Sequence, residues 1–389
     1  MRRFLIGLAG GFGAGYLALR TVQAVRDLRD PAPPLEKDPK AYGRLRRSLM
    51  LVGIARSLAE LAFAAYGPAA ALAPSDGSPE PRKRRVALLG AALVASTLFD
   101  LPAEYVEGPM IERRFGLSKQ APRAWVLDHA KAFGVSFAIG LALLEALAST
   151  IERFPKTWPY LATAATFPLL VLANVVAPNL IMPLFNEFKP LAGPLEQRLR
   201  ALAARYGAGD ATILRVDMSR QTEKANAYVT GLLGSKRIVV GDTLLEHFAQ
   251  PEIEFVVAHE LGHFVSRDVW RGVAIGTGAA AVIFIGAKRI AEGGTSLASA
   301  TGLGRLFFAA SLLGLVVGPP MAAFMRMREA AADRFALAAT RDAQSGIDAF
   351  VRLRTRNLAE DEQPRWMELL FSSHPSLRSR IADLERTRS

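Results

Sequence analysis

Apolar and polar positions in this 389-residue chain separate into long blocks rather than alternating within short elements. Seven apolar blocks stand out, each near the roughly 20 residues a helix needs to cross a bilayer. They are Phe4–Val25 and, approximately, Leu49–Ala73, Val86–Leu101, Phe133–Ser149, Tyr160–Phe185, Val273–Ala287 and Leu306–Met325. The shorter blocks could be helices buried in a soluble core, but seven in one chain argue for membrane spans. Several are rich in Gly and Ala, which lets helices approach closely where lipid offers no hydrophobic drive for association. The first block follows "MRR", as a signal peptide would. It is long, however, and its end "RTVQAVRDLRD" lacks a small-residue cleavage site, so it is read as a retained span.

Some blocks carry ionisable groups: Arg56 and Glu60 in the second, Asp100 ending the third, Glu145 in the fourth. Each is costly in hydrocarbon. They either line a wet interior cavity or snorkel from helix ends. Arg56 and Glu60, four apart and well inside their block, face one side of a helix and favour the cavity.

The remaining segments are soluble in character. Glu187–Trp270 mixes patterns: "PLEQRLRALAARYG" has helical spacing, while "ATILRVDMS" and "SKRIVVGDTLLE" read as strands, the second leading into a helix. "DPAPPLEKDPK" is a proline-broken loop, the tail from Met327 is polar and helical, and no internal repeat is found. The layout expected is a five-span region over 1–185, a soluble segment over 186–270, two spans over 271–326 and a C-terminal helical segment over 327–389.

Composition supports the membrane reading. Hydrophobic residues make up 51% of the chain and charged ones 22%, with mean hydropathy +0.19. The net charge of +12 lies largely at the ends of apolar blocks, as in "RLRRS" and "PRKRR", where lipid headgroups are the simpler partner. Nucleic acid is not expected, because no aromatic-interleaved basic signature accompanies the charge. Lys and Arg counts place the soluble segments and the tail on the cytoplasmic side, with "PRKRR" as a counter-signal. The absence of cysteine removes disulfides, thiolate metal sites and cysteine nucleophiles. A metal would need carboxylates and some of the five histidines, His129, His247, His259, His263 and His374.

"VVAHELGHFVSRD" (residues 256–268) carries the chemistry. On a helix, His259 and His263 project from one face and can share a Zn²⁺ ion. Glu260 lies in the adjacent sector, where it can take a proton from metal-activated water. Gly262 permits close approach of another segment. The apolar "FVVA" ahead of His259 implies a buried helix, in which His-Glu-His without a metal would be costly. Catalytic zinc takes three protein ligands, and the third could be His, Glu or Asp. "MRMREAAADRFALAAT" offers Glu329 as ligand and Asp333 as a partner orienting a ligand His. A surface acidic pair beside Arg328 and Arg334 is the plainer reading of that stretch.

The chain resembles the integral-membrane zinc metalloproteases of the type-one CAAX prenyl protease family. The matching segments are "PMIERRFGLSKQ", "APNLIMPLFNEFKPL", "KANAYVTGLLGSKRIVVGDTLLE", "VVAHELGHF", "REAAADRFA" and "SSHPSLRSRI", in the family's order. The resemblance implies an all-α polytopic fold: a seven-helix barrel enclosing a large water-filled chamber, with a mainly helical zincin-type catalytic domain carrying a small β-element. It implies one Zn²⁺ held by His259, His263 and Glu329, with Glu260 as catalytic base and Asp333 in support. Asn226 and Ala227 would pair with substrate backbone as an edge strand does. His374 would polarise or stabilise an oxyanion, and Arg380 would serve a carboxylate or oxyanion. The expected substrates are prenylated or otherwise membrane-associated peptides. The tail "LERTRS" lacks an endoplasmic-reticulum retrieval signal and, with the Ala/Arg-rich composition, points to a bacterial inner membrane. Two other readings are a heat-shock membrane zinc protease of the same clan, and a transporter or receptor with a structural zinc. The second leaves Glu260 without a purpose.

Overall fold

The computed structural model describes residues 2–30, 33–68, 80–232, 236–292 and 296–387, with backbone alone for residues 2–12. Fourteen α-helices and four strands are described. The helices are α1 (Arg2–Arg29), α2 (Pro39–Tyr66), α3 (Arg82–Tyr105), α4 (Ile111–Arg114), α5 (Pro122–Arg153), α6 (Trp158–Val176), α7 (Pro194–Arg205), α8 (Asp242–His247), α9 (Gln250–Val265), α10 (Asp268–Ala291), α11 (Ala300–Thr340), α12 (Ala343–Arg356), α13 (Arg365–Leu370) and α14 (Leu377–Arg386). The strands are β1 (Phe188–Pro190), β2 (Thr212–Val216), β3 (Ala227–Thr230) and β4 (Arg237–Gly241).

Six helical stretches among the described residues are long and apolar enough to cross a membrane: α2, α3 through α4, α5, α6 through Leu184, α10 and α11. They contain the centres of the six apolar blocks after the first. The first block forms α1, but the side chains of residues 2–12 lie outside those described, so its expected span is only partly covered. The end of the second block also falls outside, beyond residue 68. In each span only 6–17% of the most apolar stretch is buried. Most of that apolar surface therefore faces away from the protein, as helices in contact with lipid require.

Two spans break where the sequence carries the family-like motifs. After α3 the chain passes through a π-turn at Val106–Met110, where Gly108 takes φ −97°, ψ −105° ahead of Pro109. After α6 it does so at Ala177–Ile181, around Pro178. Proline removes a helical hydrogen bond and bends the chain at such points. At the second bend Arg237 of β4 donates to the Pro178 carbonyl at 2.7 Å and the Asn179 amide oxygen at 2.6 Å, tying the sheet to the end of the span.

The sheet has the order β1-β2-β4-β3, with β2 and β4 parallel and both outer pairs antiparallel. β3 therefore ends the sheet with one edge unpaired by strand. One face of the sheet packs on α7, α9 and the end of α11, through Leu199, Ile238, Val240, Ile253, Val257 and Ala336. α11 crosses the boundary expected near 326 without a break and carries Glu329 and Asp333 on its extramembrane end.

Candidate metal centre

The start of α9 is fixed by Glu252, whose carboxylate accepts the Ala249 amide at 2.8 Å and pairs with Arg352 at 3.0 Å. Phe255, Val256, Val257 and Ala258 are all buried. The helix is thus held on most sides, and its one polar face presents His259, Glu260 and His263. Gly262 allows the partner helix in: a β-carbon there would lie 3.1 Å from the Ala332 α-carbon of α11. That approach delivers Glu329 to the two histidines.

Three donor atoms converge. The Nε2 atoms of His259 and His263 are 3.3 Å apart. Glu329 places Oε2 3.3 Å from the first and Oε1 3.3 Å from the second. On their far sides, His259 Nδ1 lies 2.8 Å from Asp333 and His263 Nδ1 2.9 Å from Asp268. An ionised carboxylate only accepts hydrogen bonds, so each Nδ1 carries a proton, and in the neutral ring each Nε2 offers a lone pair. Two lone pairs and a carboxylate then face one point, and Glu329 Oε2 is buried without a hydrogen-bond partner. Acceptors crowded in this way need protons or a metal cation between them. Their spacing is about the edge of a tetrahedron with 2.0–2.1 Å arms, the arm length of nitrogen and oxygen ligands on zinc. Among the described residues, this trio is the one grouping of metal-ligand type.

Without a metal the surrounding carboxylates favour protonated rings, so a metal ion displaces protons here. Burial alone would lower His259, but the neighbouring Asp333 and Glu329 carboxylates outweigh it and raise the imidazole to about 9. His263 is raised against its burial by Glu329 and Asp268. Burial pushes the Glu260 carboxyl above the usual carboxylate range, while His259, His263 and the Val229 amide of β3 pull it back. Partial desolvation at the crowded site, with the nearby Arg380, His259 and His263, lowers His374 despite Glu329.

The other candidate residues fall around this point. His374, three-fifths exposed, lies with Nε2 3.3 Å from Glu329 Oε1, and its Nδ1 meets the Ser373 hydroxyl. Arg380 grips Asp333 with two hydrogen bonds of 2.6 and 2.8 Å and packs on the Phe350 ring, so it serves a carboxylate partner. Asn226 is exposed just ahead of β3 and Ala227 is buried within it. The Asn226 carbonyl accepts the Gly241 amide, which turns the backbone groups of Ala227 and Val229 toward the open edge. Val229 meets Glu260 there. Of the other two histidines, His129 stacks on Trp125 and meets Glu104, and His247 ends α8.

Three residues escaped the sequence reading. Asp268 holds His263 as Asp333 holds His259, and Arg328 holds Asp268 at 2.7 Å. Asn357 pairs with both backbone groups of Ala225, at 2.9 and 3.2 Å, closing the sheet edge one step before Ala227. The segment around "RRFGLS" docks on the same region: Glu223 donates to the Leu117 carbonyl and Lys224 pairs with Glu112. A cavity of 410 Å³ beside His263 is lined by Tyr206, Leu232, Phe264 and Trp270.

Comparison with known proteins matches the chain in two parts. A family model described as peptidase family M48 matches residues 191–388, and one described as "CAAX prenyl protease N-terminal, five membrane helices" matches residues 42–187. The chain is 30% identical to the uncharacterized metalloprotease YhfN of Bacillus subtilis over 305 residues, 75% of this chain and 71% of that one. It is 36% identical to CAAX prenyl protease 1 of Saccharomyces cerevisiae over 183 residues, 46% of this chain but only 40% of the yeast protein. The crystal structure of S. mikatae Ste24p shares the fold, with TM-score 0.69 over 98% of both chains at 24% identity.

Proposed function

The chain belongs to peptidase family M48 and is a membrane metalloendopeptidase, and from that premise we propose that its metal is zinc, bound by His259, His263 and Glu329. The observation that carries this reading is the meeting of two imidazole lone pairs and an unpartnered carboxylate oxygen at a spacing suited to that ion. Zinc there supplies a Lewis acid that makes water a nucleophile near neutral pH.

The side chains divide the remaining work. Glu260, with a carboxyl raised by burial, accepts the proton of the attacking water and passes it to the leaving amine. A substrate strand pairs along the open edge of β3 at Ala227, which lays its backbone between that edge and α9. His374, held below the ordinary imidazole value, donates a hydrogen bond to the oxyanion that develops at the scissile carbonyl. Asp333, clamped by Arg380, fixes the orientation of His259. The cavity beside His263 receives a substrate side chain next to the scissile bond.

The substrates are peptides associated with the membrane, prenylated or otherwise, reaching the site through the hollow between the spans. The catalytic side faces the cytoplasm of a bacterial inner membrane. The counter-signal from "PRKRR" is weak: Arg85 is buried against Glu145 and Glu152, and Arg82 also meets Glu145. Those two charges are neutralised within the protein and contribute little to orientation.

Glu260→Gln tests the catalytic assignment. Zinc content should stay at one ion per chain while peptide cleavage falls by about 10²–10⁴-fold or more. Cleavage at the wild-type rate would discard Glu260 as the base. Mass spectrometry of membrane peptides that accumulate with this variant would identify the substrates and any lipid they carry.

A further inference from the structure

The zinc site contains two parallel chains of contacts. One is His259–Asp333–Arg380. The other is His263–Asp268–Arg328: His263 Nδ1 lies 2.9 Å from Asp268 Oδ2, and Asp268 Oδ1 lies 2.7 Å from Arg328 Nε. Asp268 is mostly buried, and Arg328 is nearly so. Arg328 directly precedes the ligand Glu329 on α11, so this second chain joins both ligand-bearing helices. Asp268 is also the first residue of the membrane span α10, one position after Arg267, which turns the chain in the left-handed region at φ 54°. That turn is unusual for a residue with a side chain. It brings the end of α9 back so that the first carboxylate of the next helix reaches the last ligand of the previous one.

We propose that Asp268 and Arg328 are positioning residues for zinc: Asp268 fixes the tautomer and ring orientation of His263, Arg328 fixes Asp268, and the entry of α10 into the membrane thereby sets the geometry of the metal. This rests on the zinc assignment above. A ligand imidazole whose second nitrogen donates to a carboxylate is both aimed and more basic, and such partners typically change metal affinity by about 10–100-fold. Without Asp268 the His263 ring can rotate or place its proton on Nε2, where it would block the metal. Arg271 also meets Asp268, at 3.3 Å, but from an exposed position where its contribution is small.

The test is zinc affinity of the full-length, detergent-solubilised protein, read by competition with a chromophoric chelator and independent of peptide cleavage. Asp268→Asn should weaken zinc binding by about 10–100-fold. Asp268→Glu should recover part of the loss and Arg328→Gln should give a smaller one, with metal-free melting temperatures near wild type. Arg328→Gln also serves if Asp268→Asn does not fold. Wild-type affinity in both Asp268→Asn and Arg328→Gln would overturn the positioning role while leaving the zinc assignment intact. A wild-type protein that binds no zinc, or binds it equally well with His263→Ala, would instead remove the assignment beneath it.

Discussion

His259 is the residue on which the acid–base behaviour of the site turns. With its folded value near 9 against an ordinary 6.5, its proton stabilises the metal-free fold fully below about pH 6.5. That contribution disappears as the pH climbs through about 9. A metal ion must displace the same proton, so zinc affinity should strengthen steadily from pH 6.5 toward 9 and then level off. Chelator competition at a series of pH values would measure this, and an affinity flat across the range would mean that binding displaces no raised imidazole proton. At this scale the sequence disclosed the histidine pair because i,i+4 spacing has one geometric meaning on a helix. Glu329 and Asp333 needed the family pattern, since a surface acidic pair has the same spacing. Asp268 stayed hidden because a lone acid at the start of an apolar block reads as an ordinary first-turn residue. Asn357 stayed hidden because its partner, Ala225, lies far away in sequence and is reached only in the folded chain.

Among the elements, the crossing of α9 and α11 decides whether ligands meet. Gly262 sits at that crossing, where a β-carbon would meet both the Ala332 backbone and the Phe335 side chain at 3.1 Å. Backbone cannot yield as a flexible side chain can. Gly262→Ala should therefore destabilise by about 1–3 kcal/mol through overpacking. It should also push Glu329 away from the histidines and lower zinc affinity, a pairing of effects visible in thermal melts with and without metal. A melt and an affinity matching wild type would show that the crossing tolerates a methyl group. Helix centres were legible from hydropathy, but their ends were not. α11 continues well past the apolar block that ends near Met325, because its last turns exchange lipid for contact with α9. A polar stretch packed on a catalytic core and a polar loop look alike in hydropathy.

For the whole molecule, charged groups within the spans lie in ion pairs between helices rather than scattered singly. Arg56 lies 3.2 Å from Asp100 and 3.5 Å from Glu60, joining α2 to α3. Arg85 and Glu145 join α3 to α5, and both are largely buried. Arg85→Met leaves the Glu145 charge without its main partner and should cost about 3–5 kcal/mol, measured as loss of thermal stability in detergent. A loss under 1 kcal/mol would mean that water already reaches Glu145. The topology can be tested cleanly because the chain has no cysteine. Single cysteines at Glu385 and Lys83, both exposed, should react with an impermeant maleimide from opposite sides of the membrane. Glu385→Cys should label only in inverted vesicles and Lys83→Cys only in intact spheroplasts, and the reverse pattern would invert the orientation. The set of spans was foreshadowed by the number of apolar blocks together with charges inside them. How those charges pair was not, because each partner lies on a different helix.

The order in which the proposed metal-binding parts occur along the chain has a consequence for biosynthesis. The two histidines emerge from the ribosome first, then the hairpin of α10 and α11, then Glu329, and last Arg380 and His374. A nascent enzyme thus holds two of its three proposed ligands until both strokes of the hairpin have been made, and it lacks His374 and Arg380 until nearly the last turn of polypeptide. Latency is built into the connectivity: a chain stranded short of the membrane, or released early, carries the signature helix yet has no means of cutting its neighbours.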